Sequence, residues 1–260
     1  MQATSAIPAV RGHSSEATPR KTYAQLIGAL FIIGFLAYGT GFGLINSVIS
    51  APDFPANVAA AQTILLIGAS LMLLNTVVDI GKGVLFFPIL EDHGKRTAFV
   101  YLAAIVVQVV FLDIGALFLL MLVPLAQIAA DAGASSSAWA PGIASLLTES
   151  NTFAYNIGQA TLSFGGVFLC LLLYRTRLIP QLLAGLGVVG YVLHAAGAAS
   201  EIFGLQISLY LLIPGMFFEI GIAFWLIIKG FQPAAVGKGS SITTDALTVG
   251  PVAAPAGVGS

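Results

Sequence analysis

Charge is scarce in this sequence. Its 260 residues include ten Lys and Arg and eleven Asp and Glu, 8% of the chain, where a soluble domain carries roughly a quarter. So few charges cannot cover a globule of this size with a wetted surface, which excludes an ordinary water-soluble domain. The net charge of −1 leaves no basic footprint for nucleic acid. A single cysteine, Cys170, lies inside an apolar run and excludes a disulfide framework. Catalytic signatures are lacking too. No G-x-S-x-G, no H-E-x-x-H and no two histidines at ligand spacing occur. Ser163–Phe164–Gly165–Gly166 reads as a small-residue packing patch. The glycines at 39, 41 and 43 lie inside an apolar run rather than between a strand and a helix, so they make no phosphate cradle. No cofactor is implied.

Apolar residues are abundant: 58% of the chain is hydrophobic, with a mean hydropathy of +0.97. In hydrocarbon every backbone N–H and C=O must be satisfied within a helix or a closed barrel. Nothing here alternates in the ten-residue segments of a barrel, so the expected fold is all-α, an integral membrane bundle. Six apolar runs reach the roughly 20 residues that span a bilayer, at about 24–47, 61–90, 98–128, 153–174, 180–200 and 207–229. The first is longer than the core of a signal peptide and starts late, so it reads as a span. Residues 1–22 read as a disordered N-terminal tail, 23–230 as the transmembrane domain, and 231–260 as a disordered C-terminal tail.

Basic residues set the expected orientation. Arg11, Arg20 and Lys21 precede the first run, Lys95 and Arg96 separate the second from the third, Arg175 and Arg177 the fourth from the fifth, and Lys229 and Lys238 follow the sixth. The alternate loops, 48–60, 129–152 and 201–206, hold no Lys or Arg, only Asp53, Asp131, Glu149 and Glu201. Because Lys and Arg concentrate on the cytoplasmic side, both termini are expected in the cytoplasm, with the bundle in the plasma (inner) membrane.

Ionisable side chains inside a bilayer are costly and point to function by default. Here they are Asp79 and Lys82 in the second run, Asp113 in the third, His194 in the fifth and Glu219 in the sixth, with Asn75, Gln108, Asn156 and Gln159 as uncharged company. At about 1.5 Å per residue, Asp79, Lys82, Gln108 and Glu219 fall roughly 11–17 Å from the basic end, and Asn75, Asp113 and His194 roughly 20–25 Å, giving two polar layers. Asp79 and Lys82 share a helix face at a spacing of three. Two readings are open: an ion or proton relay of Asp79, Lys82 and Glu219, or a buried pair that only fixes helix register. Asp113 reads equally as a proton carrier, with His194, or as a neutral acid bonded to a carbonyl. His194 alone is more often an interhelical hydrogen bonder than a metal ligand. Tyr101, Trp139, Tyr155, Tyr174 and Trp225 fall near run ends, as in an interfacial aromatic belt.

The stretch Leu171 to Tyr174, Arg175 to Pro180, Leu182 to Gly185 and Gly190–Tyr191 resembles the bacterial membrane family called domain of unknown function 4386. Pro214–Gly–Met–Phe–Phe–Glu219 and Trp225 to Gly230 look like its last helix. Asp79 and Gln108 match positions where that family carries Asp and Gln. The resemblance covers about residues 24–230 and implies six helices and no assigned activity. It also implies an Arg three residues before the Gln, where this chain has Ile105; the counter-ion for the buried acids has then moved to Lys82.

Three function classes follow. A non-catalytic membrane component, such as a partner subunit, sensory or stress-related protein, is favoured by the lack of repeats, long loops and catalytic motifs. It demands a dry, tightly packed interior. A small proton- or ion-coupled transporter would line a hydrated path with Asp79, Lys82, Asp113 and Glu219. An intramembrane enzyme acting on lipid would need an acid–base pair near the headgroups, where only Glu201, Glu91, Asp92 and His93 stand. Beyond the lipid bilayer, the partners in view are another membrane protein or a second copy of the chain.

Overall fold

The computed structural model describes residues 17–50, 56–133, 138–205 and 207–233; the outer parts of both expected tails, 1–16 and 234–260, lie outside the described residues. The described elements are all helices: α1 (Ala17–Ile49), α2 (Ala56–Ala60), α3 (Gln62–Leu120), α4 (Leu122–Ala132), α5 (Ala140–Thr176), α6 (Gln181–Ile202) and α7 (Ser208–Ile228). Five helical stretches among them are long and apolar enough to cross a membrane, one being the continuous run Gln62–Ala132.

That run covers the second and third expected spans. The charged loop expected at 91–97 shrinks to one point, Gly94, whose φ of 179° and ψ of 80° interrupt the helix. Residues on either side then pack face to face. Gln108 donates to Asp79, Gly83 lies against Leu102 and Ile105, and Phe86 meets Tyr101 edge-on. A straight helix would hold Gly83 and Ile105 about 33 Å apart. The chain therefore reverses at Gly94 and α3 forms two antiparallel arms. A Cβ on Gly94 would stand 3.0 Å from Leu172 Cδ1, so a bare backbone suits this turn.

α5 begins at Ala140, although 129–152 reads from its sequence as a loop. Pro141 occupies the first turn, where its missing N–H costs nothing. Thr148 returns its hydroxyl to Ala144 O and Thr152 to Thr148 O, so a polar stretch stays helical.

Close approaches order the helices as a ring. α1 meets the first arm of α3 at Gly41–Gly68, the second arm meets α5 at Gln108–Gly158, and α5 meets α6 at Gly166–Tyr191. α6 crosses α7 at Gly190–Gly215, and α7 returns to α1 at Ala223–Gly28. Each neighbour runs antiparallel to the last. A Cβ on Gly190 would lie 2.7 Å from Gly215 Cα, so this crossing is a backbone-to-backbone contact of small residues. Outside the ring, apolar side chains face outward along the helices, Leu36, Val77, Phe164 and Phe217 each being at least 60% exposed.

The interior holds two apolar clusters. One, at the end carrying the Gly94 turn, centres on Phe86, Tyr101, Leu169, Leu173 and Phe218. The other, at the opposite end, centres on Ile45, Leu65, Met72 and Leu122. Gln232 N–H donates to Leu178 O across the first end. The described basic side chains other than Lys82 flank turns or helix ends there: Lys21, Lys95, Arg96, Arg175, Arg177 and Lys229.

Candidate functional site

Between the two apolar clusters lies a polar centre built on α3. Asp79 and Lys82 occur three residues apart, so one turn of helix presents both to the interior. Lys82 Nζ stands 2.6 Å from Asp79 Oδ1, with side-chain exposures of 14% and 7%. The other carboxylate oxygen, Oδ2, accepts from Asn75 Nδ2 at 3.1 Å and from Gln108 Nε2 at 3.4 Å. Gln108 arrives on the returning arm, so the Gly94 reversal is what completes the carboxylate's coordination. The ammonium also lies 4.6 Å from the centroid of the Phe31 ring, a cation–π contact from α1.

Opposite, Glu219 of α7 accepts at Oε1 from the Tyr191 hydroxyl of α6 at 3.2 Å. Tyr191 is placed by Gly166, since any Cβ there would run into its ring. Between these groups is a cavity of about 10 Å³, lined by Phe31, Asp79, Lys82, Tyr101, Ile105, Gln108, Leu162, Tyr191 and Glu219. That is the lower limit for a single water. A second cavity of similar size lies between α1 and α7 against Phe31, Ile32, Phe35, Glu219 and Ile220. Glu219 therefore borders both.

Four of the six residues picked out by sequence, Asp79, Lys82, Gln108 and Glu219, come together here. Asp113 and His194 do not. Asp113 keeps a buried Oδ1 without a hydrogen-bond partner, and His194 lies on α6 beyond Tyr191, outside the lining of either cavity. Asn75, expected in the deeper layer, is one helical turn from Asp79 and donates to it. Asn156 turns to its own helix, donating to Thr152 O. Near the basic end Glu91 pairs with Lys95 at 3.2 Å, and His93 Nδ1 lies 2.9 Å from Ile89 O. Glu201 accepts from Ser208 at 2.5 Å. Among the described residues no group of three His, Cys, Asp or Glu could hold a metal ion.

Part of the expected aromatic belt is interior. Tyr101 is 2% exposed and lines the cavity. Tyr155 stacks on Tyr38 at 5.6 Å, and Trp225 packs against the apolar cluster. Trp139 and Tyr174 are exposed. Tyr191 and Tyr101 are the site residues that sequence reading passed over. Tyr191 lies well inside an apolar run and carries a hydroxyl that needs a partner, which was the available signal; Tyr101, near a run end, gave none. Ile105, where the family resemblance implies an arginine, lines the same cavity as Lys82.

An all-helical ring with an apolar exterior and a small polar heart defines a protein of the helical membrane class. Within that class the chain belongs to the family described as Domain of unknown function (DUF4386), which it matches over residues 26–230. No curated protein and no solved structure matches it.

Proposed function

We propose that this protein is a non-catalytic component of a bacterial plasma membrane, crossing it six times with both termini in the cytoplasm. The two arms of α3 count as separate crossings, which supports six, and the collection of Lys and Arg at one end supports the orientation. The observation that carries the functional reading is the polar centre itself. Asp79 has three partners, and the space beside it takes no more than about one water. A permease needs a hydrated path; this interior is packed, and the carboxylate at its centre is held by protein groups. Its buried pair then holds the two arms of α3 in register with each other and with α1, while the outer faces are free to meet another membrane protein or a second copy.

Cysteine accessibility tests this. Single cysteines replace Asn75, Asp79, Lys82, Asp113, His194 and Glu219 in a Cys170→Ala background, and each is probed from both sides with a small polar thiol reagent. Silence at all six in folded protein is expected, and reaction at several overturns the reading. A second reading, a small proton- or ion-coupled transporter using Asp79, Lys82, Asp113 and Glu219, is favoured by one feature. Glu219 borders both cavities and has one hydrogen-bond partner, Tyr191.

A further inference from the structure

The two carboxylates and one ammonium around the central cavity do not balance. Asp79 is matched by Lys82 at 2.6 Å. Glu219, on the facing helix, has the Tyr191 hydroxyl and, among the described residues, no cation within ion-pair distance. With every group ionised the cluster carries one excess negative charge, in a place where uncompensated charge is expensive. Independently, Gln108 leaves an acceptor unused. Its amide nitrogen serves Asp79, but Oε1 is buried without a partner on a residue only 3% exposed that lines the cavity. A buried amide oxygen without a donor is rare enough to call for a missing partner.

We propose that Asp79, Gln108, Tyr191 and Glu219 enclose a site for one small monovalent cation, either a proton carried on water or Na⁺. The donor set is all oxygen: carboxylates from α3 and α7, an amide oxygen from the returning arm of α3, and a phenol from α6. Hard cations select such ligands. The cavity admits one water-sized occupant, and a single positive charge neutralises the cluster. A divalent ion would reverse the imbalance rather than cancel it. Lys82 sits as a tethered cation beside Asp79 and directs the mobile one toward Glu219.

The groups that bear on Glu219 are known from every side. Asp79, Lys82 and Tyr101 come from α3, Tyr191 from α6, and Tyr155 and Cys170 from α5 within electrostatic reach; α1 adds only apolar side chains to the two cavities. The site requires no transport, so it stands whether or not a path exists; cysteine accessibility and cation binding fail separately.

The test is thermal unfolding of the full-length protein in detergent. NaCl is exchanged for choline chloride at constant ionic strength and pH is varied, for wild type, Glu219→Gln and Gln108→Leu. Na⁺ binding makes Tm climb with the logarithm of Na⁺ concentration in wild type, and both variants flatten the slope. Proton binding leaves Tm indifferent to Na⁺ but dependent on pH, and Glu219→Gln removes that part of the pH dependence. Either pattern supports the site. Should Glu219→Gln fail to fold, Gln108→Leu and direct ²³Na exchange broadening on wild type decide the Na⁺ arm, and the pH profile of Tyr191→Phe decides the proton arm. Wild type and variants responding identically to both Na⁺ and pH would overturn it.

Discussion

The buried pair of Asp79 and Lys82 gives the most demanding prediction. Both side chains are nearly inaccessible, and the pair is fixed further by Asn75, Gln108 and the Phe31 ring. Removing one member of a buried pair costs about 3–5 kcal/mol, because the survivor is left as an uncompensated charge. Asp79→Lys alone sets two ammoniums face to face, and Lys82→Asp alone sets two carboxylates, so each should lose at least that much. If the sites were independent, the double exchange would lose about 6–10 kcal/mol, as much as the whole stability of many proteins. The exchange restores an opposite-charge pair at the same spacing. Asn75 and Gln108 can turn their amides to present oxygen to a lysine at position 79. The double variant should therefore lose about 2 kcal/mol, mainly from imperfect hydrogen bonds. Monodisperse yield and Tm in mild detergent measure this, with the exposed Glu91–Lys95 pair as control. Glu91 is 39% and Lys95 67% exposed, and their exchange should change stability by less than about 1 kcal/mol. A double variant as poorly folded as the worse single would refute the pairing.

Two further outcomes test the fold. Gly190→Ala should destabilise by about 1–3 kcal/mol, because its Cβ would meet the Gly215 backbone at 2.7 Å, whereas Gly39→Ala meets nothing within 4 Å and should melt like wild type. Cysteines replacing Gly83 and Ile105 in a Cys170→Ala background should cross-link readily on oxidation, since the Gly94 reversal brings these positions into contact; a straight α3 would leave them about 33 Å apart and unlinked.

Much of the candidate site was legible because helical spacing is local. Asp79 and Lys82 are three residues apart, and their alliance follows from the helix alone. Gln108 and Asp79 are 29 residues apart and Tyr191 and Glu219 are 28 apart, so their meetings depend on where the chain reverses and which helices become neighbours. The pairing expected of Asp113 with His194 rested on matching depth. Depth fixes height along a bundle but not azimuth, and these two side chains do not line the cavity that the others share. Tyr101 and Tyr155 were misplaced for the same reason. Counted along the chain they sit near run ends, yet their helices extend further and turn them inward against Phe86 and Tyr38.

Composition determined that this chain is suited to lipid, and the lack of alternating segments that it is helical. So few charges leave no wetted surface, and a backbone in hydrocarbon has to satisfy itself. The sequence also determined the segregation of Lys and Arg toward one end, because that asymmetry is written in alternate loops. Only the tertiary structure decided that α3 folds back at Gly94, that the helices close into a ring and that Glu219 faces the Asp79–Lys82 pair across a space for a single water. Those facts depend on glycine-to-glycine approaches between distant segments, and no local pattern encodes which surfaces will meet.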